Sequence, residues 1–414
     1  MVTTAGTVRP LLVTCLVAFV ASQAPSRDAD LCSESVAQCR ERAVKGDGGA
    51  LYGLGLLHAR GKHADEGVAA SMPETFKLWR RAAAGGHVLA MRDLAVLYHR
   101  GLGVEQSKSD AAHWFGLAAQ QGDPESQYSL ALLHGKGQGV ERSMEKAAEL
   151  LQRAAKQGHS GANRDLGVML EKQGAVAEAA DHYRTAADTT QADGGDDYAQ
   201  YRLAMLYERG RGGVSRDASK AARWHRAAAE QGNALAQYSL GWLYQDGIGV
   251  KQNLTLAKRW FHFAAEQKHA GAQYSVAWRY LKGQGTARNA TKAAGWFLEA
   301  SQQGHAGAMF SLAARFEQGD GVPRDYKVAR RWYVEASGSQ SFAADALLAL
   351  GRLAMCGLGT ANGVPDHASA VHWLRKCRVA RDASSACALY LAAMSWAADV
   401  RSTTPFYCSG LSTV

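Results

Sequence analysis

Proline is scarce, seven in 414 residues, and cysteine is missing from the whole stretch between Cys39 and Cys356. Few prolines suit a mostly helical chain, because proline removes a backbone donor and breaks helix interiors. No H-E-x-x-H, G-x-S-x-G or G-x-x-x-x-G-K-[ST] occurs. The signatures of zinc hydrolysis, serine esterases and phosphate-cradling loops are therefore absent. A concentrated basic stripe is lacking too. The formal net charge is +9, but Lys and Arg are scattered among Asp and Glu throughout, which argues against a nucleic-acid partner. Hydrophobic residues at 47% and charged residues at 21% mark a folded chain rather than a disordered one.

Glycine is plentiful, 44 residues, and its placement is regular. The stretch from Ala234 to His305 holds two consecutive copies of one unit, ALAQYSLGWLYQDGIGVKQNLTLAKRWFHFAAEQKH and AGAQYSVAWRYLKGQGTARNATKAAGWFLEASQQGH. Trp260 and Trp296 lie 36 residues apart, as do Asn253 and Asn289. A fixed period of this size marks a repeat architecture, in which length is not limited by a single core. In each copy, apolar and small residues at three- and four-residue spacing predict a first helix. Gly247 and Gly249 are expected to end it. The second helix is expected to start at Ser107, Ser143, Asp217, Asn253, Asn289, Asp325 and Asp366, all good N-caps. Each second helix then buries an aromatic, read as the tryptophan, and the Ala-Ala that follows.

Nine copies can be laid out this way. Their markers are Trp79, Trp114, Leu150, Tyr183, Trp224, Trp260, Trp296, Trp332 and Trp373. The fourth copy lacks the G-x-G-V loop and reads as a plain helical hairpin. The resulting organisation is a capping helix in 25–47, a first repeat block over 48–188, and a polar loop at 189–197 that would let two half-solenoids bend. A second block covers 198–377, and a capping helix with tail fills 378–414, the helix expected around 383–398. Terminal elements must differ from the repeats, since an exposed apolar end face would aggregate.

Residues 1–24 match a secretory signal peptide, with Arg9 before the apolar run Leu11–Ala21 and small residues at Ala21, Ser22 and Ala24. An uncleaved anchor and a mitochondrial presequence are the other readings. Once Cys15 leaves with such a segment, Cys32, Cys39, Cys356, Cys377, Cys387 and Cys408 remain, an even number suited to disulfides in an exported chain. Cys32 and Cys39 would close a short loop and pin the first helix.

The pattern A-x-Y-x-L-G-x-L-Y-x-x-G-x-G-V followed by A-x-x-W-x-x-x-A-A-x-x-G resembles the Sel-1-like repeat family, a longer-looped relative of the tetratricopeptide repeat. The match runs over residues 48–377, with departures in the third and fourth copies. The resemblance implies an all-α fold, a right-handed superhelical α/α solenoid of helix hairpins whose inner surface binds proteins. Neither a cofactor nor a metal site is expected. Lumenal members include adaptors of membrane-bound ubiquitin-ligase complexes in endoplasmic-reticulum quality control; others act in mitochondria. A secreted, cysteine-rich bacterial branch has penicillin binding or hydrolysis attributed to it. Similarity to that branch implies a bridge between Cys377 and Cys387, at slightly longer spacing than the branch shows, with Cys356 and Cys408 the remaining pair.

The leading expectation is thus a non-enzymatic scaffold of the secretory pathway that meets a membrane, if at all, only through its N-terminal segment. A mitochondrial intermembrane-space assembly factor and a penicillin-interacting enzyme are the alternatives. Candidate partner-binding residues are Gln127, Gln200, Gln237 and Gln273, expected as a polar ladder on the inner surface, together with Trp242 and Trp278. Asn253 and Asn289 open N-x-T acceptors for N-glycans. Ser143-Met-Glu-Lys146 matches S-x-x-K, without the companion S-D-N and K-T-G motifs. His87, His159, His269 and His305 follow helix-ending segments, where a helix dipole explains them without a metal.

Overall fold

A computed structural model of the chain describes residues 35–61, 69–188, 194–359, 363–380 and Leu391. The signal-like segment, Cys32, Cys387, Cys408, most of the polar loop at 189–197 and the expected C-terminal helix lie outside those residues. The described residues form nineteen helices and no strand, in two compact units. Among them no helix is long and apolar enough to cross a membrane.

Unit 1 spans Met1–Ala199. It contains α1 (Val36–Val44), α2 (Gly48–Arg60), α3 (Met72–Ala84), α4 (Val88–Arg100), α5 (Lys108–Gln120), α6 (Pro124–Lys136), α7 (Met144–Lys156), α8 (Ser160–Lys172) and α9 (Val176–Ala186). Unit 2 spans Gln200–Val414. It contains α10 (Asp197–Arg209, whose first turn belongs to unit 1), α11 (Ala218–Glu230), α12 (Ala234–Asp246) and α13 (Leu254–Glu266). After these come α14 (Ala270–Lys282), α15 (Ala290–Gln302), α16 (Ala306–Gln318), α17 (Tyr326–Ala336), α18 (Ala343–Met355) and α19 (His367–Ala380). Within each unit the helices pair into hairpins, and each hairpin packs on the next.

The hairpins form because each chain segment marks its own ends. Second helices begin where expected: Asn253 Oδ1 accepts from the Leu256 N–H at 3.0 Å, Asn289 Oδ1 from Lys292 at 2.9 Å, and Ser143 Oγ from Lys146 at 3.2 Å. Each such cap satisfies one donor that the first turn would otherwise leave unpaired.

The filling of each hairpin corrects the expectation. The deeply buried plug is the residue after the tryptophan: Phe115, His225, Phe261, Phe297, Tyr333 and Leu374. Trp114, Trp224, Trp260, Trp296, Trp332 and Trp373 are only half-buried. Adjacent helical positions point about 100° apart, so only one of the two can face the sister helix. In the first copy Trp79 itself is the plug, in register with Phe115 rather than Trp114, and in the third copy the plug is Leu151. Opposite each plug the first helix carries glycine or alanine. A Cβ at Gly241 would lie 2.9 Å from Phe261, and one at Gly55 only 2.2 Å from Trp79 Nε1.

The two loop glycines also have different roles. Gly247 caps α12 in the left-handed region, φ 70°, with its N–H on Leu243 O. Gly249, φ 68°, ends nothing. A Cβ there would meet Ala218 O at 2.1 Å, on the first turn of α11 in the preceding repeat. Gly232 is also left-handed, φ 97°, but faces open space. Gly232→Ala should therefore cost only the backbone term, about 1–2 kcal/mol. Gly249→Ala should add an overpacking cost of about 1–3 kcal/mol. Chemical denaturation of both variants checks this, and equal losses would show that the close approach is unimportant.

Candidate functional site

A concavity lies on unit 2. It is a groove of about 630 Å³ lined by Tyr201 and Met205 of α10, Leu235, Tyr238 and Trp242 of α12, and Ile248 of the following loop. Glu208, Arg209, Arg216 and His269 are also on its lining. Its floor is apolar and exposed: Leu235 is 39%, Trp242 38% and Ile248 46% accessible. Trp242 is held edge-on between Tyr238 and Phe261, at ring-centroid distances of 6.2 and 5.4 Å. That support fixes the indole while leaving part of it open.

The charged lining is uneven. Glu208 Oε1 is committed to the buried His225, 3.0 Å from its Nε2. Arg209 and Arg216 are exposed, and neither side chain has a hydrogen-bond or ion-pair partner among the described residues. Nearby Arg226 donates to Tyr244 Oη at 2.7 Å and Lys220 pairs with Asp217 at 3.6 Å. The groove therefore offers an apolar floor and two unspent guanidinium groups.

Of the residues singled out in the sequence, Trp242 and His269 line the groove. Trp278, one repeat later, packs on Phe297 at 5.8 Å and has Lys282 Nζ 5.2 Å from its ring centroid, so a cation covers it. Arg209, Arg216, Leu235 and Ile248 were not singled out. The signal available for them is apolar residues at two positions where neighbouring repeats carry Gly271 and Gln284.

The glutamines differ from the expected exposed ladder. Gln127, Gln200, Gln237 and Gln273 are buried. Gln237 Nε2 donates to Ala229 O at 3.1 Å, at the end of the preceding repeat, and its Oε1 accepts from Gln267 Nε2 at 2.8 Å. Gln127 and Gln273 repeat this, donating to Ala119 O and Ala265 O at 3.2 Å and accepting from Gln157 at 2.9 Å and Gln303 at 2.6 Å. Gln200 accepts from Gln231 at 2.9 Å. The groups expected to read a partner's backbone read the chain's own instead. A buried amide with polar neighbours at both ends stabilises when complete and is costly when broken.

The histidines likewise start helices rather than end them. Backbone N–H groups of Ala90, Ala162, Ala272 and Ala308 donate to Nδ1 of His87, His159, His269 and His305 at 3.0–3.2 Å. That role requires Nδ1 to act as the acceptor. Among the described residues no three His, Cys, Asp or Glu side chains converge as a metal site. Ser143 is spent on its cap and Lys146 is exposed, so capping accounts for the S-x-x-K match.

Cys39, Cys356 and Cys377 are disulfide-bonded. Cys377 Sγ lies 3.3 Å from Ala344 O at one end of α18, whereas Cys356 caps the other end. At 1.5 Å per residue those ends are roughly 18 Å apart, beyond the reach of about 7 Å that a bridge allows. The two are therefore not bonded to each other. Asn253 is exposed and Asn289 half-exposed, each with its Oδ1 engaged as a cap.

Two stability predictions follow from these placements. Gln237→Ala should cost about 1–3 kcal/mol, because Gln267 and the Ala229 carbonyl lose a buried partner; an unchanged unfolding midpoint in urea would return Gln237 to the surface. Burial holds the imidazoles of His269 and His305 below their ordinary value, and at His269 the neighbouring His305 adds to this. Below about pH 6.5 the unfolded chain then binds more protons than the folded one. Their contribution is full above that pH and falls as the solution is acidified. Replacing both by Asn, the cap this chain already uses at Asn233, should shrink the difference in Tm between pH 7.5 and pH 5.

The hairpin geometry agrees with what comparison finds. The Sel1 repeat signature matches residues 49–87, 88–123, 124–159, 197–233, 234–269, 270–305, 306–337 and 344–376. A search of curated proteins finds no match. Among solved structures, the protective antigen c5321 of uropathogenic Escherichia coli, described as displaying an SLR fold, is similar at 27% identity and a TM-score of 0.73. That alignment covers 85% of this chain and 73% of the antigen. A Sel1 repeat protein from Oxalobacter formigenes is similar at 31% identity and a TM-score of 0.52, over 73% of this chain and 86% of its own. With signature matches over most of its length and a hairpin in each of them, this chain belongs to the Sel1 repeat family.

Proposed function

We propose that the protein is an exported, non-enzymatic interaction scaffold that holds a segment of another protein in the groove of unit 2. The observation that carries this reading is Trp242, an aromatic kept partly open between Leu235 and Ile248 in a concave, apolar setting. Clustered exposed apolar side chains in a concavity mark binding surfaces, whereas scattered ones do not. Sel1 repeats generally mediate protein–protein contact, and the unspent arginines on the lining suit a protein partner.

Export is supported by the signal-like pattern of residues 1–24 and by cysteines confined to the two ends of the chain. The protective-antigen character of the E. coli relative supports it as well. Within export, the N-x-T sites at Asn253 and Asn289 favour a lumenal adaptor of the endoplasmic reticulum, serving a membrane-bound ubiquitin-ligase complex. That finer reading requires N-glycans at these sites, and resistance of the native protein to endoglycosidase would remove it. The pairing of Cys377 with Cys387 and of Cys356 with Cys408 belongs to the same exported reading.

The scaffold reading is tested by placing a photo-crosslinking residue at Ile248 in the groove and, separately, at Leu298 outside it. Illumination in the native host should give a discrete protein adduct only from position 248, and Trp242→Ala should remove it. Identical adducts from both positions, or adducts indifferent to Trp242→Ala, would overturn the reading.

A further inference from the structure

We infer that the segment taken by the groove is acidic as well as apolar: bulky side chains on Leu235, Trp242 and Ile248, and carboxylates against Arg209 and Arg216. The inference rests on the scaffold reading and adds the chemistry of the partner. The first ground is the apolar floor, with Leu235, Trp242 and Ile248 each more than a third accessible. Aliphatic and aromatic side chains of a peptide gain from covering it.

The second ground is charge. Arg209 closes α10, and Arg216 precedes the N-cap Asp217 of α11; both line the groove and both lack a partner among the described residues. The acid beside them does not offset them, because Glu208 is turned to the buried His225. Asp217 is also committed, to the Lys220 N–H at 2.9 Å. An occupant that covers the floor removes water from the two guanidinium groups. If it is neutral or basic, they are left desolvated and unpaired, which is costly. If it carries carboxylates, each arginine can form charge-assisted, bidentate bonds that are stronger in the drier setting. The groove thus selects against basic and purely apolar segments.

The test uses the full chain and three fluorescein-labelled peptides that share one pattern of leucine and phenylalanine. They carry Asp and Glu, Asn and Gln, or Lys at the intervening positions, and binding is read by anisotropy. The acidic peptide should bind about tenfold or more tightly than the amide peptide, a difference of about 1.4 kcal/mol, and the Lys peptide should bind weakest. Added salt should narrow the gap. Arg209→Glu with Arg216→Glu should reverse the order of the acidic and Lys peptides, in a protein whose melting temperature is unchanged. Ile248→Asn, a change in an exposed loop, should weaken all three peptides.

Equal binding of the acidic and amide peptides, with Ile248→Asn still weakening both, overturns the acidic preference and leaves the groove as a protein site. Binding indifferent to Ile248→Asn overturns the groove itself. Failure of every peptide to bind overturns the inference. Displacement of the acidic peptide by a single-stranded oligonucleotide would reassign the arginines and Trp242 to nucleic acid.

Discussion

Stacking in each unit depends on how closely the loop of one repeat can approach the backbone of the repeat before it. Gly103 lies against Met72, Gly139 against Lys108, Gly249 against Ala218, Gly321 against Ala290 and Gly359 against Tyr326. In every case the contact is with the start of the preceding second helix, at distances no side chain tolerates. The contact is looser at Gly285, 3.2 Å from Leu254 O, and Gly213 has no neighbour within 4 Å. Once the loop is seated, the next first helix is close enough for its glutamine to reach back to the end of the preceding second helix. Gln237 bonds Ala229 and Gln267 together, and so ties three consecutive helices through one side chain. A backbone contact sets the spacing, and a buried amide fastens it.

The hairpin interiors show a second dependence. Where the plug ends in a hydroxyl or an imidazole, the end of the first helix supplies an acid: Tyr183 donates to Glu171 at 2.9 Å, His225 meets Glu208 at 3.0 Å, and Tyr333 donates to Glu317 at 2.8 Å, whereas the indole of Trp79 donates to Tyr52 O at 3.1 Å. Where the plug is phenylalanine, the same position holds His99, Gln245 or Leu281. A polar tip buried without a partner would destabilise the hairpin, so plug and acid vary together. Tyr333 shows the strength of the setting: burial, reinforced by Glu317, raises its phenol well above the ordinary range. One consequence reaches the groove, since Glu208 is held by His225 rather than by Arg209 or Arg216.

Local features of the fold were legible in the sequence because they recur with the period. The seven helix-starting caps and the first loop glycine needed no knowledge of neighbours. The plug was misplaced by one residue because tryptophan is the most visible side chain, while the phenylalanine, histidine or tyrosine after it varies between copies. The glutamines misled for another reason. A polar residue at a repeated position reads as a surface feature, and the partners that bury it come from Ala229 before it and Gln267 well after it. The histidines were read with the glycines they follow, although their ring nitrogens serve the helix ahead. Of the groove, Trp242 and His269 were visible, whereas Leu235, Ile248, Arg209 and Arg216 were not, because they do not recur.

That last point bears on how a repeat protein acquires a site at all. Positions fixed by stacking are alike in every copy and cannot distinguish one face from the next. Specificity has to be written where stacking makes no demand. Trp242 and Trp278 show this with the same residue at the same place in adjacent repeats. Four residues after Trp278 stands Lys282, whose ammonium lies over the indole. Four residues after Trp242 stands Asp246, which accepts from Gln245 at 3.0 Å. A carboxylate is repelled by the negative face of the ring that attracts an ammonium. The first tryptophan therefore stays open, flanked by Leu235 where the next copy has Gly271. A cation covers one indole and an anion leaves the other open, so the charge four residues on, together with Leu235 in place of Gly271, sets the two equivalent tryptophans apart.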